Sequence, residues 1–490
     1  MTRLLLLLVS LLFIQEHSFS QTTGGKYTSQ KFSPDTVKNT IGDLTKELSI
    51  KHPGFFRYTS KQEFTKYIDS VKNTINDSLT ALQSYMKLKA IMSKIGCLHT
   101  EIALSKEYTD YLNQQPNLFP FQIYYNGENA YVVNNYSTNP SIAEGDEIVS
   151  INGQDMQHII HQIVQLVPSD GFNLTMKHRA VYYQFPIWYR LIDQTGNFKV
   201  VVKRKTGEAT YQVKGARYDE IVRDGFLREP NRAKQLEFRV ENNIGILTIH
   251  TFSNSEIKKS GQNFKNFIDN AFKQLAKEKI KNLVVDLRDN TGGSDGNAVY
   301  FTKYFFEKPF RYWNRIEVTE ASAKDVKGVM LKVFYRKPIQ KDSIWLWQKA
   351  RHVRDFDYYE EQEPVSKLYS GNTYILINGF TMSSSADVAA ILSHNKKATF
   401  IGQETGGGYQ GNTSGMMPTA KVEPFGFTIT VPLQKYVNYV DTTKNFGRGT
   451  IPNYYVHITI NDILKVIDKE FETAINLINS NSNSFSSAFK

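Results

Sequence analysis

The stretch Asn282-Leu283-Val284-Val285-Asp286-Leu287-Arg288-Asp289-Asn290-Thr291-Gly292-Gly293 decides the fold. Its first six residues form a short apolar run, the pattern of a strand buried on both faces. Such strands belong to parallel sheets covered by helices on each side. The paired glycines then fall where a parallel sheet forms its sites, outside the carboxyl end of a strand. The flanking sequence agrees. Ile244–Ile249 and Thr373–Ile377 read as strands, and Gly261–Lys277, Gly296–Phe306 and Ser385–Ser393 read as helices. This alternation predicts an α/β core from about residue 236. Within it, the polar, aromatic stretch from about 310 to 370 reads as an irregular insertion.

Upstream, the pattern changes twice. From about 36 to 96 it is helical: Phe64, Tyr67, Ile68, Val71, Ile75, Leu79, Leu82 and Met86 recur at three- and four-residue spacing. Gly96 is placed to close the last helix in a left-handed conformation. From about 119 to 215 short strands follow: Phe121–Tyr125, Ala130–Val133, Glu147–Ile151 and Phe198–Val202. Gly145-Asp146 leads into the third of them, and Asn152-Gly153 after it is a tight-hairpin signal. A Tyr- and Trp-rich stretch, 168–195, interrupts this block.

Composition bounds the function. The chain has 490 residues, a net charge of +11 and a single cysteine. One cysteine excludes a disulfide framework and a cysteine-based metal site, and no cofactor is expected. The basic residues are dispersed, so no nucleic-acid partner is expected. Met1-Thr2-Arg3, the apolar run Leu4–Ile14 and Ser18-Phe19-Ser20 read as a cleaved export leader. Eleven apolar residues are too few to span about 30 Å of hydrocarbon. A mature protein without an integral membrane segment, periplasmic or extracellular in a bacterial envelope, is the expectation.

Two loops carry the chemistry. Paired glycines at 292–293 free backbone amides for an oxyanion hole. In Asn378-Gly379-Phe380-Thr381-Met382-Ser383-Ser384-Ser385-Ala386-Asp387, serines stand at a helix start, where free amides and the dipole favour negative charge. Serines there also serve simply as N-caps. The combination Asp-Leu-Arg-x-Asn-x-Gly-Gly, then Asn-Gly-x-x-x-Ser-Ser-x-x-Asp, then Ile401-Gly-Gln-Glu-Thr-Gly-Gly-Gly408 resembles the C-terminal-processing (tail-specific) serine peptidases, which share a core with the tricorn protease. The resemblance implies a multidomain α/β protein: a helical N-terminal region, a PDZ-like β-rich domain and a ClpP/crotonase-like peptidase core. It implies that Ser384 is the nucleophile and that the amides of Ser385 and of Gly292 or Gly293 form the oxyanion hole. It also implies that Gly145, Asp146 and Ile148 support a PDZ-like peptide groove, which works by pairing with an extended chain.

The general base divides the family's branches. The processing branch uses a lysine twenty-five residues after the serine, but Tyr409 stands there. The tricorn-like branch uses a histidine in Asp-Gly-His-Thr, and Gly96-Cys97-Leu98-His99-Thr100 is the similar segment. His99 is therefore the expected base, able to take the serine proton and return it to the leaving amine. The branch's glutamate falls on Asn445-Phe446, which leaves Asp441 as the nearest carboxylate to orient His99. A second function class stays open: a non-catalytic peptide- or ligand-binding protein on the same scaffold. For the enzyme, the substrate is a peptide or unfolded protein tail, and the oligomeric state is open.

The expected division is a leader (1–20), an N-terminal helical region (21–118), a PDZ-like domain (119–215) with an insertion (168–195), a linker (216–235), a peptidase core (236–480) with an insertion (about 310–370), and a tail (481–490). Because His99 and Ser384 come from separate regions, helical region and core must dock firmly. The middle block, lying between them in sequence, is expected to be free to move.

Overall fold

The computed structural model describes residues 30–223, 226–227, 232–325, 335–349 and 360–487. The expected leader, 1–20, lies outside the described residues. The core is a six-stranded sheet in the order Leu236–Glu241, Ile244–Ile249, Asn282–Asp286, Asn372–Ile377, Thr399–Gly402, Tyr454–Tyr455. The first pair is antiparallel and the rest are parallel. Alternate residues of the apolar strands face opposite ways. Leu283, Val285, Ile375 and Ile377 join the main core under the helices Phe264–Lys277 and Ser384–His394. Val284, Tyr374 and Leu376 face the C-terminal helix Lys469–Ser487 through Ala474 and Ile478. That helix runs into the stretch expected as a tail.

The region from about 310 to 370 is more regular than its composition indicates. Trp313–Val318, Tyr335–Lys341 and Ile344–Lys349 are strands of a second, five-stranded sheet completed by Thr413–Ser414 and Gln434–Asn438. Tyr335–Lys341 and Ile344–Lys349 form a local hairpin, but Trp313–Val318 pairs with the remote Gln434–Asn438, and Glu317, bonded to Arg315 and Lys435, breaks the apolar alternation. Residues 326–334 and 350–359 of this region lie outside the described residues.

The N-terminal region forms three main helices, Pro34–Lys51, Lys61–Asn73 and Ala81–Lys94. Ser33, Ser60 and Thr80 cap them, the last two through reciprocal capping boxes. Gly96 has φ 72°, the left-handed conformation expected of it. After His99 the chain pairs into the core: Glu101–Ala103 lies antiparallel to Phe427–Thr430, with Ile102 opposite Ile429. Helical region and core therefore share a hydrophobic cluster containing Leu88, Ile91, Ile102, Phe427 and Ile429.

The middle block is a sheet in the order Phe121–Tyr125, Ala130–Asn135, Glu147–Ile151, Asn197–Arg204, Gly207–Lys214. Asn152 (φ 50°) and Gly153 (φ 77°) make the expected tight turn. The stretch 168–195 contains a helix, Thr175–Ile192, kinked at Gln184 ahead of Pro186. It docks on the peptidase core instead of standing away from it. Phe172 N donates to Gly447 O (2.8 Å), Asn173 Nδ2 to Thr405 O (2.9 Å) and Thr175 Oγ1 to Glu404 O (2.9 Å). The expectation of a freely moving middle block fails on these bonds. The described part of the expected linker also docks, with Ile221 and Phe226 packed beside Leu118 and Ala216.

Candidate active site

The two loops after the core strands are stitched together by short side chains. Asn378 accepts from the amides of Asp289 (3.1 Å) and Phe380 (2.9 Å), and Thr381 Oγ1 donates to Leu287 O (2.8 Å). Ser383 then takes φ 50°, ψ −132°, a strained conformation for a residue with a Cβ. The turn delivers Ser384 as the first residue of the helix Ser384–His394. Its neighbours must be small: a Cβ on Gly292 would stand 2.7 Å from Ser383 Cβ, and one on Gly407 2.5 Å from Ala386 Cβ. Ser384 is buried, and its Oγ has no hydrogen-bond partner.

His99 is a partly exposed residue whose Nδ1 is buried and also without a partner. Burial lowers its pKa to about 4, opposed by a hydrogen bond to the Thr413 carbonyl. The ring is therefore neutral at neutral pH, the form a base requires. Beside it, His52 accepts from Gly54 N at Nδ1 (3.1 Å) and shares a hydrogen bond between Nε2 and Thr100 Oγ1 (2.9 Å). Burial also lowers the His52 pKa to about 4. Cys97 donates to Thr413 O (3.4 Å), and burial pushes its thiol up to about 12, which removes it as a nucleophile.

The segments bearing His99 and Ser384 meet at residues 407–413. Asp170 accepts from Leu98 N through Oδ1 and from Gly408 N through Oδ2, both at 3.1 Å. Gly407 packs behind Ser383 and Ala386, and Asn412 Nδ2 donates to Asp387, three residues beyond Ser384. Asp387 also accepts from Asn438 Nδ2 (2.9 Å). Burial raises Asp170 to about 6 and Asp387 to about 7. Arg179, on the helix Thr175–Ile192, holds Asp289 with two bonds (Nε–Oδ1 3.0 Å, Nη2–Oδ2 2.7 Å), joined by Tyr183 OH (3.0 Å). That anchors the Gly292-Gly293 loop.

Several expected residues lie elsewhere or are already engaged. Asp441 accepts from Thr443 and pairs with Lys444, and among the described residues it makes no bond to His99. Ser385 N donates to Met382 O (3.0 Å) and Gly292 N to Asn290 Oδ1 (2.9 Å), so neither amide is open to a substrate here. Gly293 N and Ser384 N have no acceptor among the described residues. Gly145, Asp146 and Ile148 do not border a free strand edge. Glu147–Ile151 is an interior strand with both edges paired, Ile148 is buried, and Asp146 is held by Arg204 and Ala143 N. Asp170 and His52 gave no signal in the sequence, because the bonds of Asp170 to Leu98 and Gly408 and of His52 to Thr100 are set by tertiary contact. Among the described residues no cluster of His, Cys, Asp or Glu is arranged to hold a metal ion, and no helix is long and apolar enough to cross a membrane.

Residues 243–456 match the model of peptidase family S41. No curated protein matches the sequence. Among solved structures, the chain is similar to mature CPAF complexed with lactacystin (TM-score 0.61, 13% identity, 91% of this chain and 97% of that one). It is similar also to mature CPAF alone (TM-score 0.59, 13% identity, 90% and 98%). At such identity the likeness concerns the fold, and it runs nearly end to end. The chain carries a peptidase family S41 domain over residues 243–456 and is a serine-type peptidase.

Proposed function

We propose that the chain is an exported endopeptidase that cleaves peptides or unfolded protein tails, with Ser384 as nucleophile and His99 as general base. The observation that carries this reading is the pair of buried, unpartnered atoms, Ser384 Oγ and His99 Nδ1, with Asp170 tying Leu98 beside His99 to Gly408 in the loop that packs behind the serine turn. A buried polar atom without a partner costs about 1–3 kcal/mol, a cost that a bound peptide or a proton passed from Ser384 to His99 would relieve. His99 takes the Ser384 proton as Oγ attacks the scissile carbonyl. The amides of Gly293 and Ser384 are the open donors for the oxyanion. His99 then protonates the leaving amine, and water activated by the same ring hydrolyses the acyl-enzyme. Thr413 O, in place of a carboxylate, orients the imidazole.

The test is a double-mutant cycle on peptide hydrolysis. Ser384→Ala and His99→Ala should each lose several orders of magnitude in kcat, and the double substitution should lose little more. Additive losses would contradict a shared unit. The export part of the proposal rests on Leu4–Ile14 and the Ser18-Phe19-Ser20 site. Sequencing of the secreted protein should find a start at or near Gln21, and an intact Met1 would refute it.

A further inference from the structure

Three aromatic rings from three regions of the chain meet beside the loops of Ser384 and His99. Tyr58 comes from the N-terminal region, Phe172 from the stretch inserted in the middle block and Phe446 from the core. Ring centroids are 5.6 Å apart for Tyr58–Phe446, 6.0 Å for Tyr58–Phe172 and 6.4 Å for Phe172–Phe446. Phe172 and Phe446 nevertheless remain 56% and 54% exposed. Large apolar side chains held in place yet left in water mark a surface that is covered in function.

The position of this face says what covers it. Gly171, next to Phe172, donates from its amide to Gly96 O (2.9 Å), and Phe172 N donates to Gly447 O (2.8 Å). One residue further back, Asp170 holds the amides of Leu98 and Gly408. The patch is thus tied by backbone bonds to Gly96 and Gly447, and through the Asp170 carboxylate to Leu98, the neighbour of His99, and to Gly408 in the loop behind Ser384. Its floor is rigid. The Arg57 guanidinium lies 5.2 Å from the Tyr58 centroid and donates to Gln410 O (2.9 Å), while Cβ positions at Gly96 and Gly408 come within 3.0 and 3.5 Å of the Tyr58 ring and hydroxyl. The neighbouring Arg448 is neutralised by Glu404. Three rings match the footprint of one side chain, not of a second protein.

We infer that Tyr58, Phe172 and Phe446 form the subsite that receives a large apolar side chain, aromatic or aliphatic, of the peptide near its scissile bond. The inference rests on the peptidase reading and adds a specificity to it. Stacking against ring faces and edges selects aromatic and bulky aliphatic residues over small or charged ones.

Binding measures the subsite without relying on turnover. Full-length Ser384→Ala protein is titrated with fluorescein-labelled extended peptides that differ at one scanned position among Phe, Leu, Ala and Asp. Phe and Leu peptides should bind about tenfold or more tightly than Ala and Asp peptides at one position. Adding Phe172→Ala with Phe446→Ala should reduce that ratio to about twofold or less, and Phe446→Tyr should restore most of it. Circular dichroism checks that each variant is folded, and Phe446→Ala alone, which should also lower the ratio, serves if the double variant is not. A preference that survives loss of both phenylalanines, or no preference at any position, overturns the inference. A failure of the peptidase reading shows separately, as absence of a fluorophosphonate adduct on wild-type Ser384.

Discussion

At the scale of single residues, His99 carries the strongest consequence. An unperturbed imidazole would place the acid limb of activity at about pH 6 to 7. Burial lowers the His99 pKa to about 4. A base works only when neutral, so activity should persist down to mildly acidic pH and fall as pH drops through about 4. A kcat/KM profile with its acid midpoint near 6.5 would show that substrate meets a solvated ring. Asp170 is the second such residue. Its two oxygens accept from two amides, and an asparagine offers only one acceptor oxygen for both. A shift of about 1 Å in a catalytic group costs about a hundredfold. Asp170→Asn should therefore lower kcat by about that factor, with KM and thermal stability little changed. Equal kcat, or a loss confined to KM, would count against its role in positioning.

At the scale of elements, the sequence was legible where a local pattern governs. The continuous apolar run of Asn282–Asp286, the helical spacing of Phe264, Ile268, Ala271, Phe272 and Leu275, and the Asn152-Gly153 turn all follow local rules. The Ser383–Ser384 turn was legible from its strand–turn–helix context. What was not legible depends on distant pairing. Trp313–Val318 lies against Gln434–Asn438, more than a hundred residues on, and nothing in its own alternation predicts that register. Asp170 meets amides 72 and 238 residues away. The amides of Gly292 and Ser385 follow the same rule: a motif marks the turn, but which N–H groups the turn itself consumes depends on its folded geometry.

At the scale of the whole molecule, order along the chain misleads about mobility. The block between His99 and Ser384 brackets the site: Asp170 joins Leu98 to Gly408, and Arg179 and Tyr183 anchor Asp289. Arg179 also stacks over Tyr183, whose ring lies on Phe380 of the serine loop (5.5 Å). Replacing residues 119–215 with a flexible linker should therefore abolish reactivity of Ser384, even toward a small probe. Replacing only the strands Asn197–Arg204 and Gly207–Lys214 should spare more of it. Full reactivity without the block would contradict the assembly described here.

The central claim is that Ser384 and His99 act as one unit inside a folded S41 core. It is tested most directly by covalent labelling with a fluorophosphonate, read by intact mass and peptide mapping. The wild-type chain should form one adduct, on Ser384, at a rate that falls by several orders of magnitude in His99→Ala. Labelling of Ser384 at an unchanged rate in His99→Ala, or an adduct on a different serine, would contradict it.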